Sequence, residues 1–370
     1  MEKENKITML TYIQETPQQV AENTIRSQEL TQALVNLYLQ KNYQTIWIIA
    51  CGSSSNASQC AKPFMMKYLN CDVKIVPPNS FIYLENKLKS DDFVCVVSQS
   101  GCSTNAIEAL KKLKELGVPA IGLTGNADSD FKNYADIVID YGVGIETVGY
   151  VTKGVVTLAQ FLMLFALESS LAKHLISQDV YNDVKSEFDE IPARHEIIQS
   201  ETWDFYEKNK KELTSLSIIH ICGFMQSYGI ATEGALKIGE TVKIPSIAYE
   251  AEEYIHGPNL QLTPNYAVWC IDDCSIGSER LLQIYQATRS VTEKAYAITN
   301  SENVDDRHAI RLPFDIQEPL LSPLYLLPVF QIIAYQVSQE LNTWKGHPMF
   351  NDFKKIVKTK TETIKIIMKD

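Results

Sequence analysis

The sequence predicts an α/β fold made of two copies of one parallel-sheet domain. Short β-branched runs alternate with helix-length segments along the whole chain. Those runs are continuously apolar, as strands buried on both faces of a parallel sheet are. Their order in the first half also returns in the second. "IWIIACG" is answered by "SIIHICG", "DFVCVVSQ" by "YAVWCIDD", "PAIGLTG" by "KAYAITN" and "ADIVIDY" by "HAIRLPF". The matched pairs keep a nearly constant offset of close to half the chain, too long for a solenoid repeat and right for a duplicated domain.

Residues 1–40 read as a helical segment, with Thr16 before Pro17 as an N-cap and proline at the first helical position. Residues 41–190 form the first domain. Its strands are "TIWIIA", "DVKIVP", "FVCVVS", "AIGLTG" and "ADIVID", with helices such as "NAIEALKKLKELG" between them. "VVTLAQFLMLFAL" (155–167) is too short to span a bilayer and reads as a core helix. The charged stretch "QDVYNDVKSEFDEIPARHEIIQS" (178–200) links this domain to the second, residues 191–345, and residues 346–370 form a tail. "LLPVFQIIAYQVSQEL" (326–341) is richer in apolar residues than one core-facing stripe needs, which points to a homodimer or a dimer of dimers.

The 370 residues are 45% hydrophobic and 21% charged, ordinary for a soluble protein, with a net charge of −11. That charge argues against nucleic acid or an anionic membrane as the main partner. It leaves room for a small anion held by local N–H donors. The eight cysteines show no CxxC spacing and mostly sit in apolar runs, as reduced core thiols do. "MEKENKITMLTY" lacks the apolar stretch of a secretory signal, so the cytoplasm is the expected location. No carboxylate–histidine cluster asks for a metal, and no cofactor is implied.

Two stretches carry the chemistry of an anion site. In "VVSQSGCSTNAIEAL" (96–110) a buried strand ends, Ser98, Gln99, Ser100, Gly101 and Ser103 follow, and a helix begins near Thr104. The carboxyl end of a parallel strand facing a helix N-terminus is where anions bind. A capping role for Ser103 or Thr104 is the alternative. "ACGSSSN" (50–56), with Ser54, follows another strand in the same way, and two hydroxyl-rich strand ends in one sheet favour phosphate over coincidental caps. A lysine-bearing P-loop and a GxGxxG fingerprint are both absent, so the phosphate is not that of a nucleotide bound in those ways.

In "TEGALKIGETVKIPSIAYEAEEYIHGP" (232–258) Glu233, Lys237 and Glu240 fall on one helix face. They read either as a solvated ion-pair stripe or as working groups. His256, before Gly-Pro, sits at a rigid turn.

Together, "CGSSSNA", "VSQSGCSTNAI", "GIETVGYVTKG" and the 232–258 stretch resemble the sugar isomerase (SIS) family. They are most similar to the isomerase half of glucosamine-6-phosphate synthase and to the stand-alone fructosamine-6-phosphate deglycases. The resemblance covers nearly the whole chain as two tandem SIS domains, each a three-layer, flavodoxin-like α/β/α sheet. It implies a sugar 6-phosphate bound by Ser54, Ser98, Gln99, Ser100 and Ser103. By the same resemblance Glu240 carries a proton between C1 and C2, and His256 assists ring opening from a neighbouring subunit. Glu146 matches a residue near the sugar hydroxyls, though a capped helix start explains it as well. Thr147, Thr152 and Lys237 are further substrate-binding candidates. A tail lysine forms a Schiff base in the synthase. Lys355 is the nearest match, but Asn351-Asp352 replaces the expected arginine-asparagine pair. The glutaminase part and its N-terminal cysteine have no counterpart, the first cysteine being Cys51. The expected function is therefore release of an amine from an amino-sugar or fructosamine 6-phosphate through an enediol or enaminol. The alternatives are plain aldose–ketose isomerisation and a non-catalytic sugar-phosphate sensor.

Overall fold

The computed structural model describes residues 7–144 and 146–367. It divides into two compact units, Met1–Asp183 with Gly346–Asp370, and Val184–Lys345. In the first, α1 (Met9–Ile25) and α2 (Ser27–Tyr38) precede β1 (Thr45–Ile49), α3 (Ser53–Leu69), β2 (Asp72–Val76), α4 (Pro78–Tyr83) and β3 (Asp92–Val97). Then come α5 (Thr104–Glu115), β4 (Ile121–Thr124), α6 (Phe131–Tyr134), β5 (Ile137–Asp140) and α7 (Lys153–Ala172). The 36-residue α8 (Gln178–Leu213) crosses the boundary between the units. The second unit continues with β6 (Ile218–Gly223), α9 (Met225–Thr241), β7 (Ser246–Glu250), α10 (Ala251–Ile255), β8 (Tyr266–Ile271) and α11 (Ser278–Arg289). It ends with β9 (Ala295–Ile298), β10 (Ala309–Ile310) and α12 (Pro323–Leu341), after which α13 (Phe350–Ile356) and α14 (Ile364–Ile367) return to the first unit.

Each unit holds one five-stranded parallel sheet, ordered β2-β1-β3-β4-β5 in the first and β7-β6-β8-β9-β10 in the second. The two orders are the same topology. In the first sheet Ile48 of β1 lies between Ile75 of β2 and Cys95 of β3. Trp47, Ile49, Val94 and Val96 pack beneath Ala106, Leu110 and Leu113 of α5. On the other side α7 packs against α3, α2 and α1. Surrounded on every face, α7 is buried from Lys153 through Ser170.

Three expectations need correction. Thr16 does not start a helix: α1 runs through Pro17 from an N-cap at Thr8. The buried stripe Met9, Tyr12, Ile13 and Val20 continues across the proline, and packing outweighs the one N–H it lacks. The Thr16 hydroxyl donates to Tyr12 O instead (2.7 Å). Second, "SIAYE" is a strand, β7, missing from the sequence reading because at the sheet edge it is only partly buried. Third, α12 leaves no spare apolar face as a motive for a dimer. Its residues from Pro323 through Ala334 are all buried within the chain, and it packs against α9.

Candidate active site

In the first sheet the chain leaves β1 for β2 on one side and returns to β3 on the other. The crevice at the carboxyl ends of β1 and β3 is thus the topological switch point, where open α/β sheets take ligands. Both hydroxyl-rich loops open there, Ala50–Gly52 onto α3 and Ser98–Ser103 onto α5. Asn105 of α5 ties them together by donating to Cys51 Sγ (3.2 Å). Ser54 lies in the first turn of α3, partly exposed.

The Ser98–Ser103 loop is held from below. Ser98 N–H donates to Leu123 O (3.0 Å), and Gln99 O accepts from Gly125 N–H (2.9 Å) and the Thr124 hydroxyl (3.0 Å). Ser98 Oγ donates to Ser103 Oγ at 2.9 Å. Gly101 has φ of +60°, and a Cβ there would sit 1.8 Å from Ser129 Oγ. Both conditions call for glycine. Gly101→Ala is expected to cost about 1–3 kcal/mol of stability and to displace the loop; chemical denaturation together with phosphate titration checks it.

Glu146, buried beside the start of α7, accepts from the N–H groups of Thr152 (3.1 Å), Lys153 (2.8 Å) and Gly154 (3.1 Å). Its charge thereby faces the positive end of the helix dipole. The same carboxylate accepts from Gln99 Nε2. Glu146 is thus a helix cap that also orients Gln99. Thr147 is tethered to α1: its N–H donates to Tyr12 OH (2.9 Å), and its hydroxyl lies 3.2 Å from the same oxygen.

The lysine at the serine loop is not Lys355. That residue is exposed on α13 and pairs with Asp352 (2.8 Å). Lys360 instead donates to Ser100 Oγ and Ser103 Oγ, each at 2.8 Å. Solvent reaches Lys360, yet partial desolvation lowers its pKa, opposed by Cys102 and Cys51. In the sequence this segment shows only as a lysine-rich tail in which Lys355 is the nearest match to a Schiff-base lysine. The available signal was its alternation, "KTKTET", with the period of an extended strand.

The second unit carries the other predicted residues. Lys237 of α9 is fully buried, 3.3 Å from Glu233 and in direct contact with Glu240, whose side chain keeps 29% of its surface. Burial raises the Glu240 pKa; Lys237 pulls it down, and Glu233 adds to the rise. For Lys237 the two carboxylates outweigh desolvation, and its pKa is raised. Glu240 is thus a carboxyl raised above its ordinary value by burial, with a side chain that stays partly open to solvent. His256 ends α10 before Gly257, whose φ of +144° fixes the turn. The residue is exposed, and its Nδ1–H donates to Glu252 O (2.7 Å).

The switch point of the second sheet, between β6 and β8, is of opposite character. There Asp273 Oδ2 accepts from Gln226 Nε2 (2.7 Å), Ser227 Oγ (2.5 Å) and Ser322 Oγ (2.8 Å), and Asp272 accepts from Thr299 Oγ1 (2.5 Å). Two buried carboxylates repel an anion where the first sheet offers serines. This asymmetry lay in the "VVSQ"/"WCIDD" match of the repeat.

Residues 38–167 match the family model for the SIS domain. The glutamine–fructose-6-phosphate aminotransferase (isomerizing) of Thermotoga maritima is 23% identical over 302 residues, 81% of this chain and 50% of that protein. The chain spans about half the length of the curated relatives it matches. Among solved structures, the C-terminal domain of glucosamine-fructose-6-phosphate aminotransferase from Francisella tularensis superposes with a TM-score of 0.81 at 23% identity, over 94% of this chain and 100% of that one. Glucosamine-6-phosphate deaminase from Thermotoga maritima gives 0.66 at 20% identity, over 89% and 96%. Residues 38–167 thus match the SIS domain, and over most of its length the chain has the fold of that aminotransferase C-terminal domain.

Proposed function

We propose that the chain is a phosphosugar enzyme that moves a proton between C1 and C2 of an amino-sugar or fructosamine 6-phosphate and releases the amine. The observation that carries this reading is the serine loop at the β1/β3 switch point, set against the carboxylates at its counterpart. The second unit is read as a second SIS domain supplying the proton-transfer groups.

On this reading Ser54, Ser98, Ser100 and Ser103 hold the phosphate, and Gln99, oriented by Glu146, contacts the sugar. His256 assists opening of the ring. A homodimer belongs to the reading, since His256 is exposed as a residue serving a neighbouring copy would be. Glu240 takes the C1 proton of the ketosamine, giving an enaminol, and returns it to C2. The product is a C1 imine, which water splits into a hexose 6-phosphate and the free amine. The cytoplasm, where their charge retains phosphorylated sugars, is the compartment this reading expects. Plain aldose–ketose isomerisation uses the same proton transfer without the amine.

The test is a panel of fructose 6-phosphate, glucosamine 6-phosphate and fructosamine 6-phosphates, scored for hexose 6-phosphate and amine release. Ser100→Ala is expected to weaken sugar-phosphate binding about tenfold by calorimetry. Unchanged affinity removes the loop from the site. Binding without turnover of any of these compounds favours the sensor.

A further inference from the structure

We propose that Lys360 is the cationic partner of the substrate phosphate, carried to the serine loop by the C-terminal segment. The inference rests on the reading of that loop as the phosphate site.

The segment is placed by main-chain pairing. Thr361 N–H donates to Cys102 O (2.9 Å) and Thr104 N–H to Thr359 O (3.2 Å), so that Lys360 pairs antiparallel with Ser103. The Thr104 hydroxyl adds a bond to Lys358 O (3.2 Å). Beyond the bridge, the hydroxyls of Thr361 and Thr363 both donate to Asp130, the latter at 2.9 Å. These contacts on either side fix the backbone and aim Lys360 into the loop.

The hydrogen bonds also set which atoms are left to offer. An ammonium only donates, and a serine oxygen has two lone pairs and one proton. Ser100 Oγ accepts from Lys360 and from Cys102 N–H (3.3 Å). Ser103 Oγ accepts from Lys360 and from Ser98. Both oxygens are saturated as acceptors, and among the described residues nothing takes their protons. Two hydroxyl protons and an ammonium therefore surround one loop. The complement of that array is an anion with several acceptor oxygens and more than one negative charge, which is a phosphate monoester. A neutral sugar or a carboxylate uses less of it.

The test compares wild type, Lys360→Met, Lys360→Arg and Lys365→Met as full-length chains, titrated with inorganic phosphate and with fructose 6-phosphate. Lys365 sits on the same segment, exposed and paired with Glu362, and controls for net charge. Lys360→Met is expected to weaken both ligands about ten- to a hundredfold, the range for a hydrogen bond to a charged group. Lys360→Arg is expected to retain most of the affinity, and Lys365→Met all of it. Circular dichroism confirms that each variant is folded. Equal binding by wild type and Lys360→Met overturns this inference and leaves the serine loop standing. Equal losses in Lys360→Met and Lys365→Met overturn it as well, as an effect of overall charge. Failure of the wild type to bind either phosphate overturns the phosphate site itself, and Lys360 with it.

Discussion

Glu240→Gln is expected to lower turnover by about 10²–10⁴-fold while sugar-phosphate binding survives. Glutamine keeps the shape of the side chain and can still meet the Lys237 ammonium through its carbonyl oxygen. It cannot accept a proton from carbon and give it back. The environment supports the assignment: Glu240 is desolvated enough to raise its pKa, yet its side chain remains accessible, unlike that of Glu233. If Glu240 served only to pair with Lys237, the substitution would change stability and leave the rate alone. A substrate deuterated at C1 separates the two. Loss of both product formation and label washout, in a folded variant that still binds phosphate, supports proton transfer. Washout at the wild-type rate would falsify it and restore the sensor reading.

The sheets were legible because the central strands, buried on both faces, leave continuous apolar runs, as in β1, β3, β4, β6, β8 and β9. At the sheet edges burial is partial: β2 and β5 still kept enough β-branched residues to be read, whereas in β7 the pattern dissolves. The place of the serine loop was legible for a related reason: a run of small polar residues directly after a buried strand marks the turn from β3 into α5 at the switch point. The contact of Lys360 with Ser100 was not, because residues so far apart in sequence meet only through the fold. Glu146 shows a subtler limit. A local cap is read from a polar side chain just before the helix, whereas Glu146 loops back to N–H groups six to eight positions on. The surplus of apolar residues in α12 was misread because composition cannot tell a helix surrounded by its own domain from one that meets a partner.

The largest stability effect is expected at Lys237. Its ammonium is buried between Glu233 and Glu240, and removing one member of such a group leaves negative charge in a desolvated place. Lys237→Met is expected to cost about 3–5 kcal/mol, far above the value of an exposed helical pair. The variant also has a signature in pH. Lys237 holds the Glu240 pKa down against desolvation, so its loss lets that pKa rise further. A carboxyl whose folded pKa lies above its unfolded value destabilises the fold when ionised, and the penalty shrinks as pH falls through the folded pKa. The stability deficit of Lys237→Met is therefore full at neutral pH and narrows toward the ordinary carboxylate range. Glu240 must be ionised to take a proton, so residual activity is lost on acidification from a higher pH than in wild type. Adding Glu240→Gln to Lys237→Met removes one of the two charges and is expected to recover part of the lost stability while abolishing activity. Urea denaturation of the single and double variants at neutral and mildly acidic pH measures all of this. A Lys237→Met chain as stable as wild type, with an unchanged pH profile, would mean that the three side chains are not coupled and that Glu240 does not owe its proton affinity to this arrangement.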